Sequence, residues 1–199
     1  MPSNQEEPFL TARFHDALVF AARLHAGQNR KQTRVPYIAH LLGVTALVLE
    51  DGGDEDQAVA ALLHDAVEDQ GGLKTLEEIR SRFGDRVATI VDACTDTYQT
   101  PKPPWQQRKE QYIERLRHEP PEVLRVSLAD KLHNARTILA DLHKEGEQIW
   151  SRFKGGKEGT LWYYRTLVDV FHDRSNSFMA GELVRVVAEI ERLSGEAGV

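Results

Sequence analysis

The chain is expected to fold as an all-α helical bundle. Three observations point there. No stretch sustains the two-residue alternation of β-branched residues that marks a strand. Apolar residues instead recur at helical spacing through most of the chain. The helix-length stretches are joined by short connections punctuated by Gly, Pro, Asp or Thr, as in a compact bundle. At 199 residues, 41% of them apolar, the chain has enough material for one substantial core. A single domain over 1–199 is expected, with its core over about 9–173 and a last helix near 178–194.

The first helix is placed from Phe9 to about Ala26, with Phe14, Ala17, Leu18, Ala21 and Leu24 roughly on one face. Gly27 to Pro36 is a polar, basic loop. Pro36 can open the second helix because its missing N–H costs nothing there, and that helix runs to about Glu50, before Gly52-Gly53. Asp54 can cap a third helix running through Asp69. Gly71-Gly72 breaks the chain, and Thr75-Leu76-Glu77-Glu78 has the pattern of a capping box at the start of a short helix. That helix ends at Phe83-Gly84, and another runs from Asp85 to about Cys94. Thr95 to Pro104 holds three prolines and reads as a loop. Helices follow at roughly 105–118, 120–143 and 158–173.

Composition narrows the function. The net charge of −6 argues against broad nucleic-acid binding, which needs a basic surface. Basic groups gathered locally, Arg30, Lys31 and Arg34, then Arg152, Lys154 and Lys157, could still serve an anionic small molecule. No apolar run approaches the ~18 residues of a membrane span, and the N-terminus is polar and acidic, unlike a signal peptide. The single cysteine, Cys94, excludes an intrachain disulfide and a cysteine-rich zinc site. A cytoplasmic location is the expectation.

The most informative residues are His64-Asp65, an imidazole and a carboxylate side by side in the apolar run Ala61-Leu62-Leu63-His64-Asp65-Ala66-Val67-Glu68-Asp69. Such groups are costly to bury unless something pairs with them. Pro36-Tyr37-Ile38-Ala39-His40 and Leu128-Ala129-Asp130-Lys131-Leu132-His133-Asn134 offer the further ligands that a divalent ion would need. His40, His64, Asp65 and Asp130 thus form a candidate metal set, and a hydrolase is the implied class. Imidazole nitrogen with hard carboxylate oxygen suits Mn²⁺, Fe²⁺ or Zn²⁺, with Mn²⁺ favoured. Glu68 and Asp69 sit one helical turn on, where they could orient a water or take its proton. Asp130, Asn134 and Thr137 form one polar stripe, with Leu124, Leu128, Leu132, Ala135, Leu139 and Leu142 mostly opposite. His133 falls off the stripe and is not taken as a ligand. Any one of these features has an ordinary reading as a core histidine or a solvated charge pair, and Gly155-Gly156-Lys157 lacks the spacing of a phosphate loop. The conjunction of three segments carries the metal reading.

Arg30-Lys31 with Pro36-Tyr37-Ile38-Ala39-His40, then Leu63-His64-Asp65-Ala66-Val67-Glu68-Asp69, then Leu128 through Thr137, resembles the HD-domain hydrolases of the Rel/Spo type over roughly residues 9–173. The resemblance implies a helical HD-domain bundle that binds Mn²⁺ and removes the 3′-pyrophosphate of guanosine tetra- and pentaphosphate, (p)ppGpp. It implies His40, His64, Asp65 and Asp130 as metal ligands and Glu68-Asp69 as the pair acting on the attacking water. It implies Arg30 or Lys31 against the guanine, and Asn134 and Thr137 as nucleotide contacts. Length and the segment Trp150 to Arg165 resemble the stand-alone small alarmone hydrolases. In that segment Arg152, Lys154 and Lys157 could meet substrate phosphates, Arg being suited to bidentate contacts. Leu41 stands where many relatives have proline. Two alternatives keep the family likeness: a phosphatase acting on NADPH or other nucleotides, and a non-catalytic nucleotide sensor. The oligomeric state is left open.

Overall fold

The computed structural model describes residues 9–99 and 101–195; the acidic run Glu6-Glu7 at the N-terminus lies outside them. Ten α-helices and one 3₁₀ segment account for the architecture, and no strand occurs among the described residues beyond an isolated bridge between Asn29 and Pro36. The expected all-α class is what is found.

Helix α1 spans Ala12–Leu24, its first turn capped by the Thr11 hydroxyl, which accepts from the Arg13 N–H. Helix α2 spans Ile38–Glu50, and α3 spans Glu55–Leu63 behind the Asp54 cap on the Gln57 N–H. Every residue of α3 from Gln57 to Leu63 is buried, because α1, α2, α6 and α8 surround it. Helix α4 is only Ala66–Asp69. Helices α5 (Leu73–Phe83), α6 (Asp85–Cys94) and α7 (Trp105–Leu116) lead to α8, 25 residues from Pro121 to Glu145. A 3₁₀ segment, Gly146–Arg152, turns the chain into α9 (Gly156–Arg174), and α10 (Phe178–Leu193) packs on α8 and α9. Buried apolar side chains from Ala17 to Ile190 join in one cluster, so α10 belongs to the same core.

Three local departures from the expected elements occur. The helix expected through Asp69 is interrupted at His64-Asp65. There His64 Nδ1 donates to the Ala61 carbonyl at 2.8 Å, capping the turn with a side chain. The helix expected to open on Thr75 starts at Leu73, because Gly72, with φ +63°, turns the chain early. Thr75 is then buried, and its hydroxyl donates to the Gln70 carbonyl rather than capping. Beyond the helix end expected at roughly 143, α8 continues to Glu145 and the chain goes on as the 3₁₀ segment.

Candidate metal centre and adjoining cavity

Three elements deliver the polar groups to one point. His40 comes from the first turn of α2, His64 and Asp65 from the interruption between α3 and α4, and Asp130 from the middle of α8. Ligand atoms of His40, His64 and Asp65 lie within 4.8 Å of one another. Asp130 Oδ1 is 3.2 Å from His40 Nε2 and 3.6 Å from His64 Nε2. Asp65 Oδ2 is 3.0 Å from His64 Nε2 and 3.5 Å from His40 Nε2. The interruption at His64 matters: in a continuous helix, adjacent side chains diverge by about 100°, whereas here imidazole and carboxylate face each other.

Each imidazole is held by its other nitrogen. His64 Nδ1 is spent on the Ala61 carbonyl, and His40 Nδ1 lies 2.9 Å from His133 Nδ1. Both Nε2 atoms are buried and without a hydrogen-bond partner. Two buried, unpartnered nitrogens aimed at two carboxylate oxygens match the donor set of a divalent ion, so the residues fit a metal. Burial works against protonation of His64, but Asp65 and Asp130 outweigh it and hold that imidazole well above its ordinary value. Against the same cost of burial, His64 and His40 hold Asp65 well below its ordinary value, and Lys131 first, then the two imidazoles, do the same for Asp130.

His133, which is not taken as a ligand, meets the His40 ring edge-on, with centroids 4.8 Å apart. Burial, with His40 and Arg30 beside it, pushes its pKa down to about 4, so the ring is neutral and can accept the His40 Nδ1–H. The room for this ring comes from Gly43 in α2, where a Cβ would stand 2.4 Å from two His133 ring atoms.

A cavity of about 480 Å³ adjoins the cluster. Tyr37, whose hydroxyl donates to Asp65 Oδ2 at 2.6 Å, lines it together with Glu68 and Asn134. A second cavity of about 460 Å³ lies beside His40, His133 and Arg136 and shares Arg30 and Thr137 with the first.

The family model for the HD domain matches residues 17–161. The chain belongs to the HD-domain family. It is 38% identical over 146 residues to the Homo sapiens guanosine-3′,5′-bis(diphosphate) 3′-pyrophosphohydrolase MESH1, covering 72% of this chain and 76% of that protein. It is also 38% identical over 122 residues to the Aquifex aeolicus guanosine-3′,5′-bis(diphosphate) 3′-pyrophosphohydrolase, 61% of this chain but 17% of that one. Among solved structures, a metazoan ortholog of SpoT described as hydrolysing ppGpp superposes with a TM-score of 0.73 at 27% identity, covering 96% of this chain and 99% of that one. A Listeria monocytogenes protein superposes with a TM-score of 0.67 at 32% identity, over 77% of this chain and 99% of its own.

Within this HD-domain protein the other sequence-selected residues divide. Arg30, Lys31, Asn134, Thr137, Arg152 and Lys154 line the larger cavity. Arg30 bonds the Asn134 amide oxygen and sits over the Tyr37 ring at 5.6 Å, and Asn134 donates to Asp130 Oδ1 at 2.6 Å. Lys31 bonds the Arg152 carbonyl, while the Arg152 guanidinium pairs with Glu145 and Asp141. Lys157 does not line the cavity: its ammonium lies 3.0 Å from Glu147 Oε2 and also bonds the Ser194 carbonyl. Asp69 does not line it either; its Oδ2 accepts from the Gln28 amide at 2.7 Å.

The sequence reading missed three further cations that line the cavity. Lys102, from the proline-rich loop, bonds Glu68 Oε1 at 2.7 Å; Arg108 and Lys109, from α7, converge on the carboxylate of half-buried Asp96. Burial, helped by nearby Lys131, lowers the Lys109 ammonium to about 7. The signal available was Arg108-Lys109 on the face of α7 that also carries buried Tyr112 and Leu116. The cations of that amphipathic helix read as solvated until the fold turns them inward.

Proposed function

We propose that the protein is a metal-dependent 3′-pyrophosphohydrolase of guanosine 3′,5′-bis(diphosphate) and its pentaphosphate, releasing GDP or GTP and pyrophosphate. The observation that carries this is the pair of buried, unpartnered His Nε2 atoms facing Asp65 and Asp130, beside a cavity lined by several cations. The names of its HD-domain relatives support the substrate.

His40, His64, Asp65 and Asp130 would hold the ion, for which Mn²⁺ is proposed. A divalent ion there supplies Lewis acidity at the phosphoryl group. Glu68 and Asp69 orient the attacking water and take its proton. The water oxygen bonds to the phosphorus on the ribose 3′ oxygen, and the P–O3′ bond breaks. Its electron pair stays on the 3′ oxygen, which is then protonated, and pyrophosphate carries the new oxygen. Lys102, Arg108 and Lys109, together with Lys31 and Lys154, bind the phosphate charge. Arg30, Asn134 and Thr137 position the nucleoside.

Metal-stripped protein is incubated with guanosine tetraphosphate, with and without Mn²⁺, and with NADPH in parallel; the products are resolved by anion exchange. GDP and pyrophosphate forming only with Mn²⁺ is the expected result. Turnover of NADPH alone would overturn the substrate assignment, and binding without turnover of either would make the protein a sensor.

A further inference from the structure

We propose that His25 and Gln28 are positioning residues that hold the Asp69 carboxylate toward the His–Asp cluster. This rests on the assignment of Asp69 to the water-activating pair. Asp69 closes α4, a helix of four residues, and is exposed. A helix that short offers little to restrict a terminal side chain, and Glu68 and Asp65 repel a third carboxylate. Something outside α4 must hold it.

Gln28 does so through an amide whose orientation is set by its partners. Its Oε1 lies 2.7 Å from His25 Nδ1 and accepts from Gln70 Nε2 at 2.7 Å. An amide oxygen only accepts, so His25 Nδ1 carries a hydrogen. With Oε1 bonded on both sides, Nε2 is the end left to donate to Asp69 Oδ2 at 2.7 Å. The Gln28 backbone is held as well: its N–H donates to the His25 carbonyl at 3.0 Å and its carbonyl accepts from Tyr37 N–H at 2.9 Å.

His25 is the fixed point behind this. It is 2% exposed at the end of α1, and its ring stacks on Tyr37 with centroids 5.2 Å apart and planes 15° apart. Tyr37 in turn donates to Asp65 Oδ2. One buried imidazole therefore backs both a proposed metal ligand and Asp69. The two carboxylates of the pair are held by different partners: Lys102 meets Glu68 with a full charge, whereas a neutral amide orients Asp69 and leaves its net charge in place.

Steady-state kinetics of Gln28→Leu, Gln28→Glu, Asp69→Asn and Gln28→Leu/Asp69→Asn test this, with Mn²⁺ affinity and unfolding midpoint measured on each. Gln28→Glu is nearly isosteric and keeps the oxygen that His25 and Gln70 use, replacing only the donor aimed at Asp69. Both Gln28 variants should lose roughly 10- to 100-fold in kcat, the range for one hydrogen bond to a charged group. Their KM and Mn²⁺ affinity should stay within about twofold of wild type. Gln28→Leu should add nothing to the loss from Asp69→Asn. Wild-type kcat in Gln28→Glu, or a fall in Mn²⁺ affinity that accounts for the fall in kcat, overturns the positioning role. Wild-type kcat in Asp69→Asn overturns instead the assignment of Asp69 on which it rests.

Discussion

Replacing His133 with alanine should weaken metal binding without removing a ligand. The ring supplies the acceptor for His40 Nδ1 at 2.9 Å and stands between the buried His40 ring and the second cavity. Water entering from that cavity can replace the acceptor, so the cost of about 1–3 kcal/mol for an unpaired buried donor is largely avoided. Water does not replace the fixed orientation that the ring gives the imidazole, and that part appears as lost affinity. Groups bonded to the second nitrogen of a metal-bound imidazole typically contribute 10- to 100-fold to affinity, and the lower end, roughly 10-fold, is expected here. Gly43→Ala approaches the same contact from the other side. Its methyl would stand 2.4 Å from the His133 ring and must displace it, although alanine favours the helix by about 1 kcal/mol over glycine. Both variants should therefore bind Mn²⁺ less tightly in a competition titration against a chromophoric chelator, while their far-UV circular dichroism stays that of wild type. Wild-type affinity in both would refute the reasoning that His133 sets the His40 ring.

Asp130→Asn should abolish measurable Mn²⁺ binding and turnover together, whereas Glu68→Gln should keep the metal, checked by elemental analysis, and lose roughly 100-fold or more in kcat. With Lys109 held to about 7, its charge is present below that pH and lost above it. Pyrophosphate inhibition should accordingly weaken as pH rises through about 7, and Lys109→Arg, always cationic, should remove that inflection. Leu132 is fully buried on α8, so Leu132→Ala should lower unfolding stability by about 2–5 kcal/mol in a denaturant titration.

Much of this was legible in the sequence because helical periodicity and caps are local. The Asp54 cap, the apolar face of α8 and the loop beginning at Thr95 all depend on residues within a few positions of each other. The candidate metal set was legible for a different reason: imidazoles and carboxylates inside apolar runs demand partners, and three such runs were present. Direction was harder. The contact of His133 with His40 was not legible, because an ideal helical wheel sets the angle of a side chain but not the neighbour it reaches on α2, where Gly43 makes room. Lys102, Arg108 and Lys109 resemble any solvated cations until α7 packs against α9 beside Glu68.

By itself, then, the sequence determined the helical class, the segments that carry the ligands and the donor chemistry of the candidate centre, all of which follow from composition and short-range spacing. Only the tertiary structure decided how His64 and Asp65 come to face one point, since that needs the break that the Ala61 carbonyl contact imposes on α3. It also decided which second nitrogen holds each imidazole, and that Gln28, from a loop some forty residues earlier in the chain, reaches Asp69. Those contacts form between elements distant in sequence, where packing rather than local propensity selects the partner.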